Sequence, residues 1–250
     1  LNVREAVKSR VRLWLHRSLF LSGELVRIVV QLEHAGVNSL TFKGPSLSKL
    51  VYGDISSRTF DDIDILVSEN DFLTTSKCLA DLGYKSYENL TLDQQLFQMR
   101  SKGEILFGSP SGGLVDLHTS LSRGSDAYQV SWNELWNRRQ VVDVENAQLA
   151  TFGANDLFLY LAIHGAKHRW SRLNWILDFA RSIRHGDCKQ TLSSANLIGE
   201  RKVFQLAMQV CEATLGVTDA RAEIAGELDG NQACLLKELE QNLESGVAPN

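Results

Sequence analysis

Arg58-Thr59-Phe60-Asp61-Asp62-Ile63-Asp64-Ile65-Leu66-Val67 is the stretch on which the rest of the chain turns. Its second half, Ile63, Ile65, Leu66 and Val67, is an apolar run of strand length, rich in β-branched residues. Side chains alternate across a strand, so Asp62 and Asp64 share one face and Asp61 takes the other. Two like charges at the start of a buried strand cost free energy unless something positive lies between them. A divalent cation is the usual remedy, and an all-carboxylate set suits magnesium, manganese or calcium rather than zinc. The plainer alternative is a strand end whose aspartates cap a loop or sit in solvent. The sequence on either side weighs against it.

Upstream, Ser22 is placed to cap a helix running through Ala35, with Leu25, Ile28, Val29 and Leu32 as its core face and Gly36 as its stop. Residues 1–18 mix Arg, Lys and Trp and read as a helix or a partly ordered arm. Asn38 to Phe42 is a short strand that leads into Lys43-Gly44-Pro45-Ser46, where Pro45 opens a helix reaching about Tyr52. Strand, glycine, helix start is a geometry that offers free backbone N–H groups to a phosphate, and Lys43 adds a cation there. The alternative is an ordinary strand-to-helix turn with a surface lysine.

Downstream, Glu69–Leu82 reads as a helix closed by Gly83, Tyr84–Tyr87 as a strand, and Leu92–Met99 as either. Glu104–Phe107 and Leu114–Leu117 form the arms of a β-hairpin around Gly108-Ser109-Pro110-Ser111-Gly112-Gly113. The second arm, Leu114-Val115-Asp116-Leu117-His118, carries one carboxylate in an apolar strand, and a buried lone aspartate needs a partner. Laid beside Asp62–Val67, Asp116 completes a cluster of three carboxylates. That arrangement can hold two magnesium ions about 4 Å apart. Trp132–Arg139 is a short helix and Gln140–Val144 a strand. From Asn155 onward the period is helical, with Leu157, Tyr160, Leu161 and His164 along one face, a helix over Leu173–Ile183, and further helices over Ala195–Leu215 and Ala220–Leu243. The expected organisation is α+β: a mixed-sheet domain over residues 1–153, then an all-α part over 154–250.

Composition sets the outer limits. With 44% hydrophobic and 22% charged residues, the chain has the make-up of an ordinary soluble globular protein. No apolar run approaches the ~20 residues needed to cross a bilayer, so no membrane partner is expected. Cys78, Cys188, Cys211 and Cys234 lack metal-site spacing, which fits a reducing, cytoplasmic setting. The net charge of −4 and a local basic segment over Gly165–Lys189, with six Lys/Arg against two Asp, suit a small anionic ligand better than an extended nucleic acid. His164 and His168, four apart, share a helix face. Gly165 stands where H-E-x-x-H has its glutamate, so a structural or ligand-facing role fits them better than zinc. Trp170 and Trp175 could stack on a base, or belong to the core.

Three features therefore follow in order: Thr41-Phe42-Lys43-Gly44, then Arg58-x-x-x-Asp62-Ile63-Asp64, then Val115-Asp116-Leu117-His118. Together they resemble the polymerase-β-like nucleotidyltransferase superfamily, and more closely its uncharacterised bacterial family with Lys-Gly in place of Gly-Ser. The resemblance covers roughly residues 22–185. It implies a palm of mixed sheet flanked by helices, with Asp62, Asp64 and Asp116 as metal-binding and catalytic carboxylates and Mg²⁺ or Mn²⁺, two ions, as cofactor. Lys43, Gly44, Ser46 and Arg58 would contact the nucleotide, with Arg172 and His168 as further candidates from the helical part. The implied reaction moves a nucleoside monophosphate from a nucleoside triphosphate such as ATP to a hydroxyl-type acceptor (a small molecule, a peptide or protein, or an RNA end) and releases pyrophosphate. Two alternatives are a non-catalytic nucleotide- or partner-binding module on the same fold, and a phosphohydrolase using His164 and His168.

Overall fold

A computed structural model describes residues 2–121, 130–216 and 230–245. The chain divides into two compact units, Leu1–Asp126 with Val130–Phe152, and Ala127–Gln129 with Gly153–Asn250.

The first unit is built on five strands: β1 (Ser39–Thr41), β2 (Ile63–Val67), β3 (Lys85–Ser86), β4 (Glu104–Gly108) and β5 (Leu114–His118), in the order β1-β2-β5-β4-β3. β2 and β5 run parallel, while the other pairs are antiparallel. One face of the sheet carries Ile63, Ile65, Ile105, Phe107, Val115 and Leu117. These pack with Leu21, Leu25, Ile28 and Leu32 of α1 (Val3–His34), and with Leu79 of α3 (Phe72–Asp81) and Met99 of α4 (Leu92–Lys102). Strand alternation sends Asp64, Asp116 and His118 to the opposite face. The apolar core thus fixes where the charged residues point.

Between β1 and β2 the chain forms α2 (Gly44–Leu47), passes into one π turn over Ser48–Tyr52 and turns on left-handed Gly53. Gly44 itself has φ +54°, and a Cβ there would lie 3.1 Å from the Asp62 carbonyl oxygen. Only glycine allows both that backbone conformation and that approach. A second hairpin follows α5 (Trp132–Asn137): β6 (Gln140–Val144) pairs with β7 (Ala147–Thr151) through Glu145 and Asn146, both at positive φ.

Several expectations shift. α1 begins at Val3, capped by Asn2, so Ser22 is not a cap but lies inside the helix with its hydroxyl bonded to the Ser18 carbonyl at 2.8 Å. Leu92–Met99 is helical, opened by a Thr91–Gln94 capping box. β7 had no sequence signal, because Glu-Asn is a poor cue for a turn usually written Asn-Gly.

The second unit contains α6 (Ala154–Lys167), α7 (Leu173–Ser182), α8 (Cys188–Leu197), α9 (Arg201–Leu215) and α10 (Gly230–Ser245). The expected helix over Ala195–Leu215 is two helices, parted at left-handed Gly199. Of the segment Ala220–Leu243, residues 220–229 lie outside the described residues and the rest belongs to α10. Phe158, Phe179 and Phe204 form its aromatic centre, with Phe158 ring centroids 4.8 and 5.0 Å from the other two. No described helix is long and apolar enough to cross a membrane. None of the four cysteines forms a disulfide.

Trp170 is a core residue, 3% exposed, and cannot stack on a base; its ring lies against Gly165 of α6. A Cβ at Gly165 would overlap that ring. Gly165→Ala is therefore expected to cost about 1–3 kcal/mol through overpacking, outweighing the helix-propensity gain of about 1 kcal/mol. A thermal melt should show a fall of several degrees. An unchanged or raised midpoint would mean that Trp170 has room to yield.

Candidate active site

The site is assembled by register. In the parallel β2–β5 pair Asp64 sits opposite Asp116 and Leu66 opposite His118, while β4 sets Glu104 opposite His118. Asp64 is 3% exposed; Asp116 and Asp62 are only partly covered. Asp64 and Asp116 thus project from the same side of the sheet, while Asp62 lies in the bend that leads into β2, close enough to feel both their charges, and its neighbour Asp61 is exposed.

Such a cluster needs positive charge, and two side chains supply it. Lys43 Nζ donates to Asp64 Oδ1 at 2.7 Å, and this ion pair is largely shielded from solvent. His118, buried beside Phe42 at a centroid distance of 5.3 Å, has Nε2 3.2 Å from Asp116 Oδ2 and 3.6 Å from Asp64 Oδ1. Glu104 Oε2 lies 3.6 Å from the other ring nitrogen, Nδ1. Neither ring nitrogen makes a well-aligned hydrogen bond. The titration of the group follows from these contacts. Burial opposes ionisation of Asp64, yet Lys43 and His118 hold its carboxyl well below the usual carboxylate range. Asp62 shows the reverse: burial, then the charges of Asp64 and Asp116, push it up to about 6. Burial would depress the His118 imidazole, but Asp116 and Asp64 raise it to about 9.

The other expected residues divide. Gly44 lies against the Asp62 backbone and opens α2. Ser46 is turned inward and fully buried, its Oγ 2.6 Å from Thr41 Oγ1, which donates to the Ala150 carbonyl at 3.2 Å. The turn is thereby fastened to β7, and the Ser46 hydroxyl is not presented to solvent. Arg58 is partly buried in the loop over residues 53–62. Arg172 and His168 belong to the second unit, where both lie against Trp175: the guanidinium 5.4 Å from its ring and the imidazole 4.9 Å.

Two residues missed by the sequence reading bear on the site. Arg17 of α1 donates from Nη1 to the Gly112 carbonyl and from Nη2 to the Asp61 carbonyl, each at 2.7 Å. It ties the β4–β5 turn to the start of β2, a long-range contact that no local pattern announces. His118 could have been found, because it stands two residues from Asp116 and so shares its face. Asp64, Asp116 and His118 each offer a ligand atom within 4.8 Å of the others, a grouping that can hold a metal ion.

Removing Lys43 leaves Asp64 buried with His118 alone, and breaking a buried ion pair from one side costs about 3–5 kcal/mol. Lys43→Met should therefore unfold at markedly lower denaturant than the parent. Adding Asp64→Asn should recover much of the loss, since it removes the stranded charge. Additive single losses in that double-mutant cycle would show the two side chains to be uncoupled.

Residues 1–216 match the family described as Uncharacterised nucleotidyltransferase. No curated protein matches the sequence. Among solved structures, ANT(2'')-Ia in complex with adenylyl-2''-tobramycin aligns over 77% of this chain and 98% of its own, at a TM-score of 0.51 and 12% identity. The solution structure of the antibiotic-resistance factor ANT(2'')-Ia gives 0.51 over 71% and 91%, at 10% identity. The lincosamide antibiotic adenylyltransferase LnuA, lincomycin-bound, gives 0.47 over 66% and 97%, at 18% identity. At 10 and 12% identity the likeness to the two ANT(2'')-Ia structures is one of fold alone, the polymerase-β-like fold that the three spaced motifs imply. With a match spanning most of its length, the chain belongs to this family of nucleotidyltransferases.

Proposed function

We propose that the protein moves a nucleoside monophosphate from a nucleoside triphosphate, ATP among them, to a hydroxyl on a small-molecule acceptor, releasing pyrophosphate. The observation that carries this reading is the parallel register of β2 and β5, which sets Asp64 beside Asp116, with Asp62 near enough for their charges to act on it. The family supports the transfer. The small-molecule class is suggested by ANT(2'')-Ia, whose complex contains an adenylylated tobramycin. Four cysteines outside any disulfide support a cytoplasmic setting.

The donor set fits divalent ions, since clustered oxygen ligands on one strand pair are what Mg²⁺ and Mn²⁺ take. Asp62, Asp64 and Asp116 would hold them. Bound there, such ions would neutralise charge on the triphosphate and lower the pKa of the attacking hydroxyl. The remaining work falls to side chains. Asp116, more exposed than Asp64, is placed to take the acceptor proton as the new O–P bond forms and the bond to pyrophosphate breaks. Lys43, relieved of Asp64 when that carboxylate is neutralised otherwise, can turn to the triphosphate. The Gly44 backbone N–H and Arg58 are the other candidates for phosphate contact.

The test is incubation with each α-labelled nucleoside triphosphate, Mg²⁺ or Mn²⁺, and a panel of hydroxyl-bearing small molecules. Label should pass to an acceptor with stoichiometric pyrophosphate. Release of inorganic phosphate would point to a hydrolase, and binding without turnover to a non-catalytic module. Asp116→Asn is expected to lose at least 100-fold in turnover, whereas Asp61→Asn, on the exposed side, keeps its activity.

Asp62 should separate function from stability. Its folded pKa of about 6 lies above the ordinary 3.8, so its contribution to stability is present below that ordinary value and lost as pH rises through about 6. The ionised form at neutral pH therefore works against folding. Metal-free Asp62→Asn should melt at or above the parent temperature, yet be inactive. Mg²⁺ with ATP should raise the parent's midpoint, by about 2.7 kcal/mol of stabilisation at one hundred times the dissociation constant, and raise the variant's much less. Equal responses in calorimetry would remove Asp62 from the site.

A further inference from the structure

We infer that His118 is a nitrogen ligand in the metal centre, positioned by Glu104, and that the centre therefore prefers a first-row transition ion such as Mn²⁺ to Mg²⁺. This rests on the metal-dependent reading above and adds what the three carboxylates alone do not imply.

Four observations carry it. First, His118 is 5% exposed, and neither of its ring nitrogens makes a well-aligned hydrogen bond. Buried polar atoms are nearly always satisfied, so this imidazole stands where a partner is wanted. Second, the unsatisfied Nε2 is directed at the carboxylates, 3.2 Å from Asp116 Oδ2 and 3.6 Å from Asp64 Oδ1. Atoms that ligate one ion must lie close together, and Nε2 with the Asp116 and Asp64 oxygens meets that requirement, all within 4.8 Å of one another. Third, Nδ1 faces the Glu104 carboxylate at 3.6 Å. A carboxylate behind the non-coordinating nitrogen is the usual device that fixes the ring and its tautomer in histidine–metal sites. Fourth, the placement is set by backbone pairing and not by a flexible loop: Asp116 and His118 are two apart on β5, with β2 on one side and β4 on the other. Edge-on contact with Phe42, itself stacked on Phe152 at 4.8 Å, holds the ring from behind.

The consequence concerns which ion is chosen. Mg²⁺ demands oxygen donors and gives up its waters reluctantly, whereas imidazole is a good ligand for first-row transition ions. Replacing one oxygen by nitrogen therefore moves the preference away from Mg²⁺. Glu104, about half exposed, is a positioning residue and touches no reacting atom.

Pulsed electron paramagnetic resonance of Mn²⁺ bound to the full chain with ATP tests this directly. Uniform ¹⁵N labelling of the protein distinguishes its nitrogens from those of the nucleotide. A ¹⁵N coupling of directly bound strength is expected in the parent and should vanish in His118→Asn. By calorimetry the parent should bind Mn²⁺ at least 10-fold more tightly than Mg²⁺, and that ratio should collapse towards one in His118→Asn. Glu104→Gln, a near-isosteric change at a half-exposed position, should weaken Mn²⁺ about 10-fold while keeping the coupling. Bound Mn²⁺ without a protein nitrogen coupling would overturn the inference and leave the metal-dependent reading standing. Failure of the folded parent to bind either ion, with or without ATP, would overturn both.

Discussion

Like charge on adjacent strands is the constraint around which the first unit is arranged. Parallel pairing of β2 with β5 sets Asp64 directly beside Asp116, and Asp62 stands close enough for their charges to raise its pKa. In a partly desolvated setting such crowding is tolerated only with compensating positive charge. Lys43 and His118 provide it here, one from the end of β1 and one from β5. A protein gains no stability from this arrangement over an apolar one. Its retention makes sense as a binding site for something more strongly positive than a lysine.

The turn after β1 shows how the backbone serves that cluster. Gly44 comes so close to the Asp62 carbonyl that a Cβ would crowd it at 3.1 Å, and its positive φ strains any other residue there. Lys43 is therefore delivered to Asp64 by the same residue that lets the chain turn into α2. Thr41 and Ser46 lock the turn from inside and reach the second hairpin through Ala150. Where the superfamily pattern has Gly-Ser this chain has Lys43-Gly44, and the hydroxyl two residues on, that of Ser46, is turned inward to Thr41. On the far side, Arg17 bridges the Asp61 and Gly112 carbonyls and so holds the entrances of β2 and β5 together.

Much of this was legible because the signals are local. The apolar run around Asp64, the alternation that puts Asp116 and His118 on one face, and the glycines that end helices can all be read without knowing any partner. The hairpin carrying Asp116 was legible from its turn residues. What escaped depends on register. His118 gains its meaning from Asp64 across β2 and Glu104 across β4, neither of which periodicity reveals. Arg17 acts over 95 and 44 positions in sequence. Ser22 misled because a serine inside a helix can bond back to the preceding turn, as it does to Ser18, instead of capping. Trp170 stayed open between a stacking platform and the core, because only its packing against Gly165 decides for the core.

The central claim is that the β2–β5 carboxylates form a metal-nucleotide centre. The most direct measurement is anomalous diffraction from crystals grown with Mn²⁺ and a non-hydrolysable nucleoside triphosphate. The account predicts an anomalous peak between Asp64 and Asp116, with triphosphate density leading from it towards Lys43 and Gly44. Nucleotide bound elsewhere, or no peak at these residues while Lys43 remains on Asp64, would contradict it.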